Sequence, residues 1–450
     1  MKRREFLKTA GLAGTIAAVN ACTGSSEEAT TSVSKEIKGE MEYRINPNTG
    51  DKVSLLGYGC MRWPALEGDE NEIDQEMVNN LIDCALEHGV NYFDTAPGYW
   101  KGKSEAATGT ALSRHPRDSY FIATKMSNFD EASRTLEGSK KMFATSLERL
   151  KTDYIDYLLL HSLRGEDDFK RRFIDNGVID WLLEERKNGR IRNLGFSFHG
   201  NEAGFDYLMS LHEKYHWDFV QIMYNYVDYR HGKIRGGERN ANCEYLIGKL
   251  AEKGIMAVAM EPLLGGNLSK LPDGIVAKLK ERRPSESAAS WAFRFAGTTP
   301  QMLTVLSGMT YMEHLQDNLK TYCGFEPLSE EEEAFLDGIA GKIVQFPTVP
   351  CNYCNYCMPC PYGLDIPGIF SHYNNCVNED AMPDNAGDPE FKKLRRRFLV
   401  GYSRKIPYER QASHCIGCGK CMEECPQKIN IPGTMQRIDK YVEKLKQEKL

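Results

Sequence analysis

From about residue 41 the chain alternates short apolar runs with longer stretches whose apolar residues recur at helical spacing. The runs Val53–Tyr58, Asn91–Thr95, Tyr120–Thr124, Ile155–Leu160, Ile191–Ser197, Phe219–Met223, Ile255–Met260 and Leu303–Ser307 predict strands. The stretches Asp74–His88, Lys140–Leu150, Phe173–Asn188, Asn201–Lys214, Asn242–Lys253 and Ser285–Ala296 predict helices. Strands alternating with helices of this length imply parallel βαβ units. Eight such strands over roughly 300 residues fit an α/β closed barrel of the TIM (β/α)8 type better than an open sheet. Gly57-Tyr58-Gly59-Cys60 lacks the third glycine of a dinucleotide fingerprint, which disfavours a doubly wound sheet.

The 450 residues suit one large and one small domain, and 41% apolar residues supply a sizeable core. Net charge is −6 with both signs interspersed, and no dense basic stripe points to nucleic acid. The 14 cysteines change the picture. Eight fall in two tight runs: Cys351, Cys354, Cys357, Cys360 before Pro361, and Cys415, Cys418, Cys421, Cys425 before Pro426. Two-residue spacers let a loop wrap several thiolates around one cluster, and the second run has the bacterial ferredoxin spacing, whose fourth cysteine usually serves the other cluster. Cys360 and Cys425 are expected to be exchanged in that way. Paired CxxC motifs also bind zinc; the eight-cysteine total and both Cys-Pro endings favour [4Fe–4S] clusters, two in number. Cys60, Cys84, Cys243, Cys323 and Cys376 lack such spacing, and Cys84 and Cys243 read as buried thiols.

The N-terminus reads as an address. Lys2, Arg3 and Arg4 precede a weakly apolar run, Ala10–Val19, too short to span a bilayer. The string Arg3–Lys8 resembles a twin-arginine export signal, and Val19-Asn20-Ala21-Cys22 resembles a lipobox that would leave Cys22 lipidated; a free thiol at Cys22 is the other reading. Residues 23–40 are polar and read as a flexible linker.

In a TIM barrel the chemistry sits at the C-terminal ends of the strands. Asp94 and Tyr99 lie at and after the second strand, Lys125 ends the third and His161 the fourth. Singly, Asp94 could be a helix cap, Lys125 a surface charge and His161 a core residue. Jointly they can form a proton-donating site. Tyrosine has an ordinary pKa of about 10, and a nearby ammonium favours its phenolate. Asp94 would hold Lys125, and His161 could donate to a carbonyl oxygen. Arg62 and Trp63 could line the mouth or pack a loop. Trp100, Phe129 and Tyr226 could line a pocket or a core. The Glu330–Glu333 run reads as a solvated helix start.

The segments LGYGCMR, FDTAPGY, ATK, DYLLLHS, GFSFHG, FVQIMYN and EPLLGG resemble the aldo-keto reductase family, in family order, over residues 43 to about 322. The resemblance implies a tetrad of Asp94, Tyr99, Lys125 and His161 with Tyr99 as general acid. It implies nicotinamide contacts at Ser197 and Gln221, a channel at Glu261, Pro262 and Leu263, and adenosine contacts at Ser307, Gly308 and Asn318. The chain departs from the family where Phe198 and His199 follow the serine, and where Gly308, Met309 and His314 replace the Lys-Ser pair and Arg of many NADPH-specific members. NAD(P)H is the implied cofactor, with NADH or dual use open.

The whole chain resembles the subgroup of this family that carries a ferredoxin-like tail. The expected organisation is a signal over 1–22, a linker over 23–40, a barrel over 41–343 and a mainly α-helical ferredoxin-like iron–sulfur domain over 344–450. The expected activity is that of an exported, periplasmic or lipid-anchored oxidoreductase, reducing a small carbonyl compound or oxidising an alcohol. Clusters would relay electrons, and a redox partner protein is open. The alternatives are an electron-transfer module using the barrel as scaffold, and a simple carbonyl reductase with structural clusters.

Overall fold

A computed structural model describes residues 37–236, 241–351, 353, 355–425 and 429–449. The expected signal over 1–22 with Cys22, most of the linker, and Cys354 lie outside the described residues. Eight parallel strands close into a barrel: β1 (Leu56–Gly59), β2 (Tyr92–Asp94), β3 (Phe121–Met126), β4 (Ile155–Leu163), β5 (Ile191–Phe198), β6 (Phe219–Met223), β7 (Met256–Met260) and β8 (Met302–Ser307). Each strand pairs with its neighbour in sequence, and β8 closes on β1 through Val305↔Leu56 and Ser307↔Tyr58. All eight expected strands are present.

The first expected strand is divided. Lys52–Ser54 pairs antiparallel with Tyr43–Ile45, and the barrel strand begins only at Leu56. The reason is visible in the hydrogen bonds. Buried Asn46, just beyond that pair, donates to Asn193 at 3.0 Å and to Tyr157 Oη at 3.3 Å, while Tyr157 Oη donates to Asp51 at 2.9 Å. The hairpin thus ties to β4 and β5. Above it the interior fills with aromatic rings: Tyr157 meets Tyr92 at 5.0 Å and Phe219 at 5.1 Å, edge to face.

Helices cover the outside: α1 (Gln75–Glu87), α2 (Lys103–Leu112), α3 (Leu136–Leu150), α4 (Val178–Lys187), α5 (Glu202–Ser210), α6 (Tyr226–Gly236), α7 (Cys243–Glu252), α8 (Asp273–Arg282), α9 (Ala288–Thr298) and α10 (Met312–Tyr322). The sequence pattern missed α2, α6, α8 and α10. Helix α2 reads as polar because Ser104, Glu105 and Thr108 occupy buried positions. Thr124 donates to the Glu105 carboxylate at 2.7 Å, so this face is held by polar contacts rather than by apolar ones.

Helix α11 (Glu330–Gln345) leaves the barrel. It begins in a capping box, with Ser329 and Glu332 each bonding the other's backbone N–H, in keeping with the expected solvated helix start. Leu336, Ile339 and Ala340 belong to the barrel core, whereas Phe346 and Val349 join a second core. That core is built by α12 (Ile366–Asn378), α13 (Phe391–Lys405) and α14 (Ile431–Lys446) around Phe398, Met435 and Tyr441. The second unit is mainly helical, as expected. At the junction the Asp380 carboxylate accepts from Lys342 of α11 at 3.2 Å and from Lys278 of α8. Gly274 of α8 lies so close that an added Cβ would stand 2.8 Å from Asp380 Cβ.

Helix α2 packs on α3 through Gly109, where an added Cβ would stand 2.3 Å from the Arg149 carbonyl oxygen. Backbone cannot swing aside as a side chain can. Gly109→Ala is expected to lower unfolding free energy by about 1–3 kcal/mol, read by chemical denaturation of the full chain; unchanged stability would contradict this packing.

Candidate functional site

The rim at the strand C-termini gathers the four expected side chains. Lys125, at 2% exposure, is enclosed at the end of β3. Its Nζ lies 2.5 Å from Asp94 Oδ1 and 2.8 Å from the Thr95 carbonyl oxygen. Gln221 of β6 donates to Asp94 Oδ2 at 3.1 Å. Burial alone would push the Lys125 pKa down. The facing Asp94 and Tyr99 reverse that and hold it above the ordinary lysine value. Burial raises the Asp94 pKa, and Lys125 and then Gln221 pull it back.

Tyr99 sits in the turn after β2, with the Lys125 ammonium 5.1 Å from its ring centroid. Burial raises the Tyr99 pKa, Lys125 pulls it back, and Asp94 pushes it up again. Sequence reasoning expected the ammonium to dominate; in the protein alone burial outweighs it, and the phenol keeps its proton at neutral pH. The His161 ring stands edge-on to Tyr99 at 6.2 Å. Burial, then the charges of Lys125, His199 and Arg172, lower the His161 pKa to about 2. A ring held neutral has one N–H to donate. Ser127 Oγ lies 2.5 Å from His161 Nδ1, and a hydroxyl donating there leaves the proton on Nε2.

Three further residues belong to this site. Ser127 and Phe129 follow β3; the Phe129 ring is 5.1 Å from His161, and it is exposed. His199, the departure after Phe198, is half-buried and its pKa is lowered by burial, then by Arg164 and Lys125. In sequence Phe129 is open as pocket or core and His199 stands out only as a departure, while Ser127 carries no signal beyond its nearness to a strand end. Of the other candidates, Trp63 is a core anchor: its Nε1 donates to Thr108 at 3.1 Å and its ring lies 4.9 Å from Tyr58. Tyr226 is likewise core, at 2% exposure. Trp100 packs against the barrel core. Arg62 is exposed, its aliphatic stem lying across Gly308, where an added Cβ would meet Arg62 Cδ at 3.2 Å.

The residues expected to hold a dinucleotide lie on the same rim. Ser197 Oγ accepts from Ser162 N at 2.7 Å, which leaves the hydroxyl hydrogen to donate elsewhere. Asn318 donates to Ser307 Oγ at 2.8 Å across α10 and β8. Glu261 is exposed, Pro262 buried and Leu263 half-buried at the end of β7. The backbone there is contorted: Trp100, Lys101, Ser162, Glu261 and Leu264 all adopt φ between +50° and +58° without being glycine. Such conformations cost about 1–3 kcal/mol each and cluster where a site over-determines them.

In the second unit Cys360, Cys415, Cys418 and Cys421 line one small hollow, floored by Leu364, Ile366, Ile431 and Met435. The fourth cysteine of the first run thus stands among the first three of the second. The two halves repeat locally. Asp365 and Asn430, each five residues after a Cys-Pro cysteine, cap α12 and α14 by accepting from Gly368 N at 3.0 Å and Gly433 N at 3.1 Å. Burial and then the neighbouring Cys415, Cys418 and Cys357 push the Cys421 thiol up to about 11. Thiols crowded like this repel one another as thiolates unless a cation joins them. Among the described residues no three His, Cys, Asp or Glu side chains converge as the ligands of a single ion would. A cubane spreads its thiolates over four irons, so a hollow ringed by thiols fits it better than it fits zinc. Cys351, Cys357 and Cys425 pack against the same core. Cys60, Cys84, Cys243, Cys323 and Cys376 are buried, the second and third as expected.

Comparison with known proteins agrees with both halves. The profile of the aldo/keto reductase family matches residues 55–340, and that of a 4Fe-4S dicluster domain matches residues 350–430. L-galactose dehydrogenase of Arabidopsis thaliana is 25% identical over 311 residues, covering 65% of this chain and 92% of that protein. NADH-specific methylglyoxal reductase of Escherichia coli is 28% identical over 196 residues, covering 39% of this chain and 57% of that protein. Among solved structures, the holo form of an aldo-keto reductase from Bacillus halodurans matches at TM-score 0.53 and 25% identity, covering 67% of this chain and 96% of that one.

Lys125→Met would leave Asp94 buried and uncompensated. It is expected to cost about 3–5 kcal/mol of stability, measured by denaturant unfolding. A loss below about 1 kcal/mol would mean the pair is solvated in solution.

Proposed function

The chain belongs to the aldo/keto reductase family, and on that premise we propose that it is an exported iron–sulfur oxidoreductase interconverting a small carbonyl compound and its alcohol. The observation that carries this reading is the buried Asp94–Lys125 pair, with Tyr99 and His161 on the same rim. Ser197, Gln221, Glu261, Pro262, Leu263, Ser307, Gly308 and Asn318 would hold a nicotinamide dinucleotide, which when bound supplies the hydride. Tyr99 and His161 converge on the substrate oxygen. His161, neutral across the working pH range, donates from Nε2 and orients the carbonyl. Tyr99 transfers its hydroxyl proton to that oxygen as negative charge grows there, and Lys125 stabilises the phenolate left behind. Asp94 keeps Lys125 aimed and charged.

Arg62 bears on cofactor choice. Its guanidinium, rooted over Gly308, is an exposed positive charge beside the proposed adenosine end, where the family's Lys-Ser pair is missing. It supports dual use of NADH and NADPH, with Arg62→Ala weakening NADPH more than NADH. Cys351, Cys354, Cys357, Cys360, Cys415, Cys418, Cys421 and Cys425 would hold two [4Fe–4S] clusters, with Cys360 and Cys425 exchanged, and these supply one-electron transfer. The Arg3–Lys8 string and Cys22 support export by the twin-arginine route and lipid attachment.

Tyr99→Phe is expected to lower carbonyl reduction by about 10²–10⁴-fold with unchanged cluster absorbance; retained activity would return the barrel to the role of scaffold. The raised Tyr99 pKa fixes the sign of the pH dependence. Reduction needs the phenol and should hold through neutral pH, failing only in the alkaline range, while alcohol oxidation needs the phenolate and should climb as pH rises. A profile with both directions flat would contradict Tyr99 as the proton carrier. Mass spectrometry of small molecules released from mature protein, purified without oxygen from its envelope, should find nicotinamide dinucleotide. Absence of any organic cofactor would favour the electron-transfer module.

A further inference from the structure

Between the barrel and the second unit lies a cavity of about 560 Å³. Leu264, Leu268, Ile275 and Ile343 of α11 wall it on the barrel side, and Phe346 and Met382 on the other. None of the residues assigned above to the dinucleotide or to the clusters lines it. Its walls nevertheless adjoin both. Leu264 directly follows the Glu261–Leu263 segment, and Pro350, another lining residue, directly precedes Cys351.

The chemistry of the lining is selective. Aliphatic side chains dominate, and the charged groups are Lys270, Lys342 and Asp380. Asp380 is neutralised by Lys342 at 3.2 Å and by Lys278. Lys270 is exposed, with no side-chain partner among the described residues. An apolar slot of this size with a few placed donors is the usual form of a small-molecule site.

We propose that this cavity binds a quinone. A quinone is a flat apolar ring whose two carbonyl oxygens accept hydrogen bonds, matching aliphatic walls and the two lysine ammoniums. The couple takes up two electrons and two protons to give the hydroquinone. It therefore suits a position between a domain for two-electron chemistry and one for single-electron chemistry, and in that respect the choice of ligand rests on the reading under Proposed function. A flavin nucleotide fits less well. Its ring edge and ribityl hydroxyls carry more donors and acceptors than Asn267, Thr348 and the lysines of this lining can pair.

The test is titration of the full-length, cluster-loaded protein with menadione, followed by quenching of intrinsic fluorescence and by equilibrium dialysis. Saturable binding of one menadione per chain is expected. Ile343→Trp and Met382→Trp, each filling the cavity from a different element, should weaken it at least 10-fold, with circular dichroism, cluster absorbance and carbonyl reduction unchanged. No saturable binding to the wild type, or equal binding to both variants, would overturn the proposal. So would equal displacement by dodecanoate, which would make the cavity a generic apolar one, or displacement by FMN at lower concentration. Tyr99→Phe should bind menadione as the wild type does. Menadione binding without any carbonyl reductase activity would therefore sink the catalytic reading and leave the cavity standing.

Discussion

The enclosed ammonium of Lys125 governs the barrel's chemistry. A lysine this deeply buried keeps its charge only because Asp94 touches it, and Asp94 keeps its own only because Lys125 and Gln221 do. That mutual dependence fixes the ends of β2, β3 and β6 relative to one another. It also sets a steady positive field under Tyr99. Burial raises the Tyr99 pKa while the Lys125 charge opposes it, so the same ammonium that locks the strand ends also bears on the phenol.

The second unit solves a different electrostatic problem. Its thiols are crowded in a hollow whose floor is aliphatic, where burial and the neighbouring cysteines disfavour the thiolate until a cation joins them. The local repeat of Cys-Pro followed by a capped helix places two equivalent helix starts, Ile366 and Ile431, at that floor. Helix α11 packs on the barrel core through Leu336, Ile339 and Ala340, and the segment just after it supplies Phe346 and Val349 to the second core.

Much of this was legible in the sequence, for reasons that differ by element. The barrel strands are buried on both faces, so they stand out as apolar runs, and β6 was read to the residue. The meeting of Asp94, Tyr99, Lys125 and His161 on one rim was legible because all four lie at or just after strand ends. Helix α2 was not, since its inward face is Ser104, Glu105 and Thr108 and satisfies itself through hydrogen bonds. The end of the hairpin at Tyr43–Ser54 was absorbed into β1 because Val53 and Leu56 read as one run; Asn46, which anchors the hairpin, is polar yet fully buried. The sign of the Tyr99 shift was also out of reach. Sequence places a lysine nearby but says nothing of how much water remains.

The left-handed residues on the rim bear on how such a scaffold diversifies. Trp100, Ser162, Glu261 and Leu264 occupy left-handed backbone that glycine usually takes, in the turn beyond β2, at the end of β4 and just after β7. Those turns are specified by backbone conformation, whereas Phe129, exposed beside His161, sits on ordinary backbone. A combinatorial library at the left-handed positions is best weighted toward glycine and asparagine, which accept that backbone most readily. One confined to the loop after β3 explores new chemistry on a barrel that still closes.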